Sequence, residues 1–131
     1  MKLKRFIPFL LSTLLFTGCA TGSGQGQAPA YRQITMEEAV EMMASESGYI
    51  ILDVRTADEY AEGHIPGAVN VANEVIGTSE IPELPDKDQL ILVYCRSGRR
   101  SKEAASKLAA LGYTNIVEFG GILDWKGDIE A

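Results

Sequence analysis

The chain has few of the residues that build metal clusters. It contains two cysteines and one histidine among 131 residues. Cys19, His64 and Cys95 lie far apart in the sequence and do not show the short Cys/His spacing of a zinc site. We therefore expect neither a bound metal nor another cofactor.

The chain also lacks a long hydrophobic run and an excess of basic residues. Its longest apolar stretch runs from Phe6 to Phe16, whereas a membrane-spanning helix needs roughly 20 apolar residues. Lys and Arg number 12 against 18 Asp and Glu, which gives a formal net charge of −6. A charge of this sign provides no electrostatic footprint for nucleic acid, so we expect no nucleic-acid partner. No internal repeat is visible.

The N-terminal residues have the pattern of a targeting segment rather than of a domain. A basic start, Met1 to Arg5, precedes the apolar stretch, as in secretory signals. The residues that follow, Leu15-Phe16-Thr17-Gly18-Cys19, resemble the lipobox of bacterial lipoproteins. That resemblance implies a signal peptide over residues 1–18 and a diacylglyceryl group on Cys19. Residues 19–30 are rich in Gly, Ser, Gln and Ala, which is typical of a flexible tether.

These N-terminal features predict an exported protein. We expect it to be anchored in a membrane of the cell envelope by lipid, and in a two-membrane bacterium to lie on the periplasmic face of the outer membrane. Its acidic charge would be repelled by anionic headgroups, so the lipid rather than the charge would provide the anchor.

Residues 31–131 alternate strand-like and helix-like segments. Short apolar runs rich in β-formers predict strands, and two capping boxes, Thr35 to Glu38 and Thr56 to Glu59, predict helix starts. The predicted strands are 49–54, 68–71, 89–94 and 115–119, and the predicted helices are 36–45, 56–62 and 99–111, with helical turns at 73–80 and 122–125. This alternation favours a single α/β domain with a mostly parallel sheet and helices on both faces.

The segment after the third strand has the features of an anion site. Cys95 ends a buried strand. The five residues that lead from it into a helix are Arg96, Ser97, Gly98, Arg99 and Arg100. Backbone N–H groups in such a loop can form an anion nest, and the helix N-terminus adds partial positive charge. Gly98 allows the tight turn. Together with three arginines, these features favour the thiolate of Cys95 over the thiol.

Three segments in this order resemble rhodanese domains. CRSGRRS, starting at Cys95, is similar to the family's active-site loop. DVRTADEYAEGHIPGAVNV (53–71) and GYTNIVEFGGILDWKG (112–127) resemble its other two signatures. The resemblance implies a three-layer fold with a five-stranded sheet and a thiosulfate sulfurtransferase-like activity. In that chemistry a Cys persulfide carries sulfur from thiosulfate or another donor to a thiol, to cyanide or to a sulfur-acceptor protein.

The resemblance also implies residue roles. Cys95 matches the nucleophile, and residues 96 to 100 match the substrate cradle. Asp53 and Arg55 match a second motif, in which we expect them to support the site rather than contact substrate. Glu59 stands where some two-domain rhodaneses have a basic residue, so we expect weaker thiosulfate binding. We interpret His64 as a residue that holds a turn, and Trp125 as a core residue.

Two other functions remain open at this stage. Phosphatases and arsenate reductases that share this fold use a Cys-x5-Arg loop, but the sixth residue after Cys95 is Ser101. A non-catalytic binding or sulfur-relay module on the same scaffold is the second alternative.

The lipidation prediction can be tested with Cys19→Ala. Without the acceptor sulfur the protein should appear in soluble or unprocessed form, because no acyl chain can be attached. Membrane fractionation with intact-mass analysis measures this change. Membrane association that persists in the variant, without acyl mass in the wild type, would contradict the prediction.

Overall fold

A computed structural model describes residues 30–77 and 79–131. The predicted signal peptide and most of the predicted tether, with Cys19, lie outside these residues. The elements, in chain order, are β1 (Arg32–Gln33), α1 (Met36–Ser45), β2 (Ile50–Asp53), α2 (Ala57–Glu62), β3 (Val69–Asn70), a 3-10 turn (Asn73–Val75), β4 (Ile91–Cys95), α3 (Arg99–Ala110), β5 (Ile116–Gly121) and a second 3-10 turn (Ile122–Asp124). Within the described part of the chain, no helix has the length and apolarity to cross a membrane.

The five strands form one sheet in the order β1-β5-β4-β2-β3. All four strand pairs are parallel. The strand β4 occupies the centre, and its five residues are all buried. The predicted α/β fold with a five-stranded parallel sheet is confirmed.

Alternate residues of the central strands face two separate hydrophobic cores. Val93 and Cys95 belong to the core that α3 covers, through residues such as Leu108. Leu92 and Tyr94 belong to the core that α1 covers, through residues such as Ala39. Helices therefore protect both faces of the sheet, as the continuous apolar runs of parallel strands require.

Both predicted capping boxes are present. The hydroxyl of Thr35 accepts from the backbone N–H of Glu38 at 3.1 Å, and the Glu38 carboxylate accepts from the N–H of Thr35 at 3.3 Å. The same pair of bonds joins Thr56 and Glu59, each at 3.2 to 3.3 Å. These contacts fix the starts of α1 and α2 at the residues that the sequence indicates.

Two elements differ from the sequence prediction. The sequence pattern did not indicate β1, which has two exposed residues and pairs with β5 at the sheet edge. The helical turn predicted over 73–80 is shorter, Asn73–Val75. Buried Ile76 follows it, and the chain then leaves the turn in extended conformation.

A buried ionic network ties together the carboxyl ends of β2 and β4. Asp53, which is fully buried, accepts hydrogen bonds from Arg55 Nη2 and Tyr94 Oη, each at 2.6 Å. Arg55 also donates to the carbonyl of Gly63 at 2.7 Å, and Tyr94 Oη accepts from the N–H of Ile65 at 3.1 Å. The network thus fixes the segment after α2 against the end of the sheet next to Cys95.

The ionisation of this network follows from its burial. Burial lowers the pKa of Arg55, but the hydrogen bond and charge of Asp53 oppose that effect, so the pKa lies above its ordinary value. Burial, followed by the hydrogen bond to Asp53, raises the pKa of Tyr94. Arg55 therefore stays charged and Tyr94 stays neutral, as donors to one carboxylate.

We expect Asp53→Asn to lower the free energy of unfolding by about 3–5 kcal/mol, because it leaves the Arg55 guanidinium buried without a counter-charge. Urea unfolding at neutral pH measures this loss. Asp58→Asn, at an exposed position in α2, is the matched control and should cost at most about 1 kcal/mol. Equal losses in the two variants would show that the network does not support the sheet.

Candidate active site around Cys95

The site is centred on the sulfur of Cys95, at the carboxyl end of β4. The residue is 1% exposed, while the next two residues, Arg96 and Ser97, are exposed. The chain then curls back, and the N–H of Gly98 donates to Cys95 Sγ at 2.9 Å. A backbone donor in this position can stabilise negative charge that develops on the sulfur during a displacement.

Two glycines allow the loop to adopt this shape. Gly98 has a φ of 113°, in the left-handed region that other residues rarely enter, and is the N-cap of α3. Gly121 has an ordinary φ of −133° but no room for a side chain. A Cβ there would overlap the carbonyl group of Arg96 and the Cα of Ser97. The end of β5 is thus the surface on which the loop rests, and the N–H of Leu123 donates to the Arg96 carbonyl at 3.2 Å.

The three loop arginines occupy different environments. Arg96 is exposed. Arg99 is also exposed, with 77% of its side chain accessible, and forms an i,i+4 ion pair with Glu103 at 3.0 Å. Arg100 is the most buried of the three, with 19% of its side chain exposed.

Arg100 is held by Glu59 in a bidentate ion pair. Its two terminal nitrogens donate to the two carboxylate oxygens at 2.6 and 2.9 Å. The hydrogen bond from Arg100 lowers the pKa of Glu59 to about 2 despite partial burial, with further help from Thr56. The Glu59 hydrogen bond, its charge and the nearby Cys95 together raise the pKa of Arg100 against the effect of burial. The acidic residue noted in the sequence therefore neutralises a cation of the loop.

Asp53 and Arg55 lie outside this loop. Their side chains bond each other, Tyr94 and the carbonyl of Gly63 after α2, and Asn70 donates to both of their backbone carbonyls. The described hydrogen bonds include none between this pair and residues 96–100. The pair supports the end of β4 through Tyr94, the neighbour of Cys95.

His64 and Trp125 also lie apart from the sulfur. The His64 ring stacks on Tyr60 with centroids 3.7 Å apart and contacts the Tyr60 carbonyl and the Glu130 carboxylate. It holds a turn against the C-terminal residues. Trp125 is half-buried against the core beneath α1, and its indole N–H donates to the carbonyl of Asp128 at 2.9 Å.

Sequence reasoning missed Ser101, which contacts the sulfur, and Glu118, which contacts Ser101. Ser101 Oγ lies 3.4 Å from Cys95 Sγ and donates to Glu118 Oε1 at 2.6 Å. Both residues are buried, Ser101 fully and Glu118 at 2% exposure. The signal in the sequence was an acidic residue inside the apolar run 116–119, at a position that faces the core.

In residues 30–77 and 79–131, no group of three or more His, Cys, Asp and Glu side chains could hold a metal ion. The chemistry available at the site is that of a thiol beside backbone donors, arginines and a serine–glutamate pair.

Comparison with known proteins agrees with this geometry. The Rhodanese-like domain family matches residues 35–128. The chain is 34% identical over 73 residues to the thiosulfate sulfurtransferase PspE of Escherichia coli (strain K12), covering 56% of this chain and 70% of that protein. It is 35% identical over 96 residues to a sulfurtransferase of Allochromatium vinosum, covering 71% and 86%.

A solved structure of a rhodanese-like protein is also similar to this chain. The rhodanese-like domain protein from Staphylococcus aureus superposes with a TM-score of 0.62 at 30% identity, covering 76% of this chain and 96% of that one. The sequence motifs, the five-stranded parallel sheet and these similarities agree. The chain belongs to the rhodanese-like sulfurtransferase family.

Proposed function

We propose that the protein transfers sulfane sulfur from thiosulfate or a related donor to a thiol or cyanide acceptor, through a persulfide on Cys95. The observation that carries the proposal is the 2.9 Å hydrogen bond from the N–H of Gly98 to Cys95 Sγ. The thiosulfate sulfurtransferase activity named for the Escherichia coli relative supports the choice of donor.

The reaction takes two steps. The Cys95 thiolate attacks the outer sulfur of thiosulfate, a new S–S bond forms, and the S–S bond of thiosulfate breaks as sulfite leaves with its electron pair. An acceptor thiolate or cyanide then attacks the outer sulfur of the persulfide, and the Cys95 thiolate leaves. Such covalent catalysis divides one difficult transfer into two easier displacements.

The same loop fits a phosphate ester poorly. Cys95 is 1% exposed, so little of the nucleophilic residue is accessible to a bulky substrate. The position where a Cys-x5-Arg loop places its arginine holds Ser101, whose hydroxyl is bonded to Glu118 rather than open to an oxyanion. A small divalent anion with a terminal sulfur suits this buried nucleophile better than a bulky phosphoester.

Export and lipid anchoring at Cys19 also remain proposals. They rest on the resemblance of the N-terminal residues to a lipoprotein signal. Together with the sulfur chemistry, they would place the transfer reaction in the cell envelope. The sulfur acceptor could there be a small molecule or a partner protein.

The ion pair between Arg100 and Glu59 sets the charge that a donor meets. Arg100 would be the innermost cation for an anionic substrate, yet both of its terminal nitrogens bond the Glu59 carboxylate. Its attraction for a second anion is therefore reduced. We infer that the chain binds thiosulfate weakly for this reason.

The sulfurtransferase activity predicts that the purified domain releases sulfite from thiosulfate and gains the mass of one sulfur atom. The added sulfur should be removed by cyanide. Cys95→Ser should abolish both signals and retain the fold, because the hydroxyl has nearly the size of the thiol. Sulfite release and intact mass measure the reaction, with aryl phosphates as control substrates. Phosphatase turnover that depends on Cys95, without a sulfur adduct, would contradict sulfur transfer. If neither activity is detected, the binding-module alternative is favoured.

Glu59→Gln should lower the KM for thiosulfate by up to about tenfold, equivalent to about 1.4 kcal/mol, because it frees the charge of Arg100. Steady-state sulfite release over a range of thiosulfate concentrations measures the change. Glu62→Gln, at an exposed position in the same helix, should leave KM unchanged. A KM that rises in Glu59→Gln would show that the pair orients Arg100 for binding rather than weakening it.

A further inference from the structure

Glu118 is a buried acid without a basic partner. It projects from β5 towards the face that α3 covers and is 2% exposed. Among the described residues, the ion pairs involve other acids, and no Lys, Arg or His pairs with Glu118. Its Oε1 accepts two hydrogen bonds, from Ser101 Oγ at 2.6 Å and from the N–H of Gly120 at 2.9 Å. Burial of a carboxylate without a counter-charge is costly, so its presence next to the serine that contacts Cys95 requires an explanation.

The direction of the hydrogen bonds follows from the single proton of Ser101. Its Oγ lies near three acceptors: Glu118 Oε1 at 2.6 Å, the Gly98 carbonyl at 2.9 Å and the Gly120 carbonyl at 3.4 Å. The carboxylate is the strongest acceptor, and 2.6 Å is typical of an O–H···O⁻ bond. With its proton directed to Glu118, Ser101 presents lone pairs to Cys95, and the thiol donates to Oγ at 3.4 Å.

We infer that Ser101 and Glu118 form a proton relay that accepts the thiol proton of Cys95 before sulfur attack. The inference rests on the proposed function and adds a route for the proton. The S–H bond of Cys95 breaks and its electron pair stays on sulfur, while the proton bonds to Ser101 Oγ. The hydroxyl proton of Ser101 moves to Glu118 Oε1. One negative charge thus moves from a carboxylate to sulfur, and the net charge of the pocket stays constant.

The relay also suits the rest of the cycle. The persulfide is an anion, so a neutral Glu118 avoids two negative charges in one buried pocket. When the acceptor removes the outer sulfur, the Cys95 thiolate is restored, and the proton can return from Glu118 through Ser101. The resting thiol and carboxylate are then regenerated without exchange of protons with solvent.

Other charged groups around the sulfur would also affect its pH dependence. Arg100 from α3 is close enough to interact with Cys95, and Glu59 from α2 and Glu74 from the first 3-10 turn interact with Arg100 in turn. The exposed Arg96 and Arg99 flank the loop. These groups change the strength of the local field, but none of them contacts Ser101 Oγ among the described hydrogen bonds.

The variant Glu118→Gln distinguishes a Glu118 that accepts the proton from a Glu118 that acts only through its negative charge. The amide oxygen can still accept from Ser101 and Gly120, but the amide cannot take up a proton. A relay predicts slower persulfide formation in this variant at low pH. A carboxylate that acts only through its negative charge predicts the opposite, because its removal would favour the thiolate. Ser101→Ala, which breaks the route at its middle atom, should match Glu118→Gln.

The experiment measures single-turnover sulfite release and, without any donor, alkylation of Cys95 by iodoacetamide, both from pH 5.5 to 9. We expect Glu118→Gln and Ser101→Ala to react about 100-fold more slowly than the wild type at pH 6, the order of a general-base contribution. They should approach the wild-type rate at pH 9, where solvent base takes the proton. The exposed Glu83→Gln and Ser106→Ala are the matched controls and should keep the wild-type profile.

Glu118→Gln that reacts as fast as the wild type at pH 6, or faster, would overturn the relay. If that variant does not fold, as judged by thermal unfolding, an unchanged pH profile in Ser101→Ala would overturn it equally. Alkylation reports on the relay even when thiosulfate does not react. A wild type that is alkylated with the expected profile but releases no sulfite would therefore contradict the proposed function and leave the relay supported.

Discussion

The backbone N–H of Gly98 can reach the sulfur of Cys95 only because the chain reverses within three residues of the end of β4. That reversal depends on the positive φ of Gly98 and on the absence of a side chain at Gly121, where the loop rests on β5. The two requirements differ in kind, one conformational and one steric. Parallel pairing of β4 with β5 is what brings Gly121 opposite Cys95, so the position of the thiol depends on the topology of the whole sheet.

Three groups of polar side chains surround this loop, and each has a different effect on it. The network of Asp53, Arg55 and Tyr94 pairs the buried charges of Asp53 and Arg55 with each other and holds the strand end in place. The pair of Glu59 and Arg100 places a carboxylate on the most buried cation of the loop, and this is the basis of the proposed weak binding of thiosulfate. The contact of Ser101 with Glu118 connects Cys95 to a buried acid that has no cationic partner among residues 30–77 and 79–131, and the proposed relay gives that acid a role.

Much of the fold could be predicted because it is encoded locally. The capping boxes fixed the first residues of α1 and α2, and the apolar runs located β2, β4 and β5 to within a few residues. The edge strand β1 was missed because two exposed residues carry no periodic pattern, and pairing with β5 alone makes them a strand.

The site was predictable to the extent that it is contiguous. Cys95 and the five residues after it form a single loop, so their order in the sequence indicated a cradle. The partners of that cradle could not be read in this way, since Glu59 is separated from Arg100 by 41 positions and Ser101 from Glu118 by 17. Whether an arginine meets substrate or another side chain depends on such long-range contacts.

The arrangement of these contacts surrounds Cys95 with little net charge and, in the proposed relay, gives its thiol proton an acceptor. Arg100 is neutralised by Glu59, and Ser101 accepts from the thiol while its own proton is bonded to Glu118. An open basic cradle would bind any small anion. A permanently ionised thiol within it would react with any oxidant that reached it. Here the sulfur is buried, the nearby Arg100 is already paired, and in the proposed relay two hydrogen bonds connect the thiol to Glu118. In this arrangement the Cys95 thiol would react when a small donor binds at the loop, and would react little when the loop is empty.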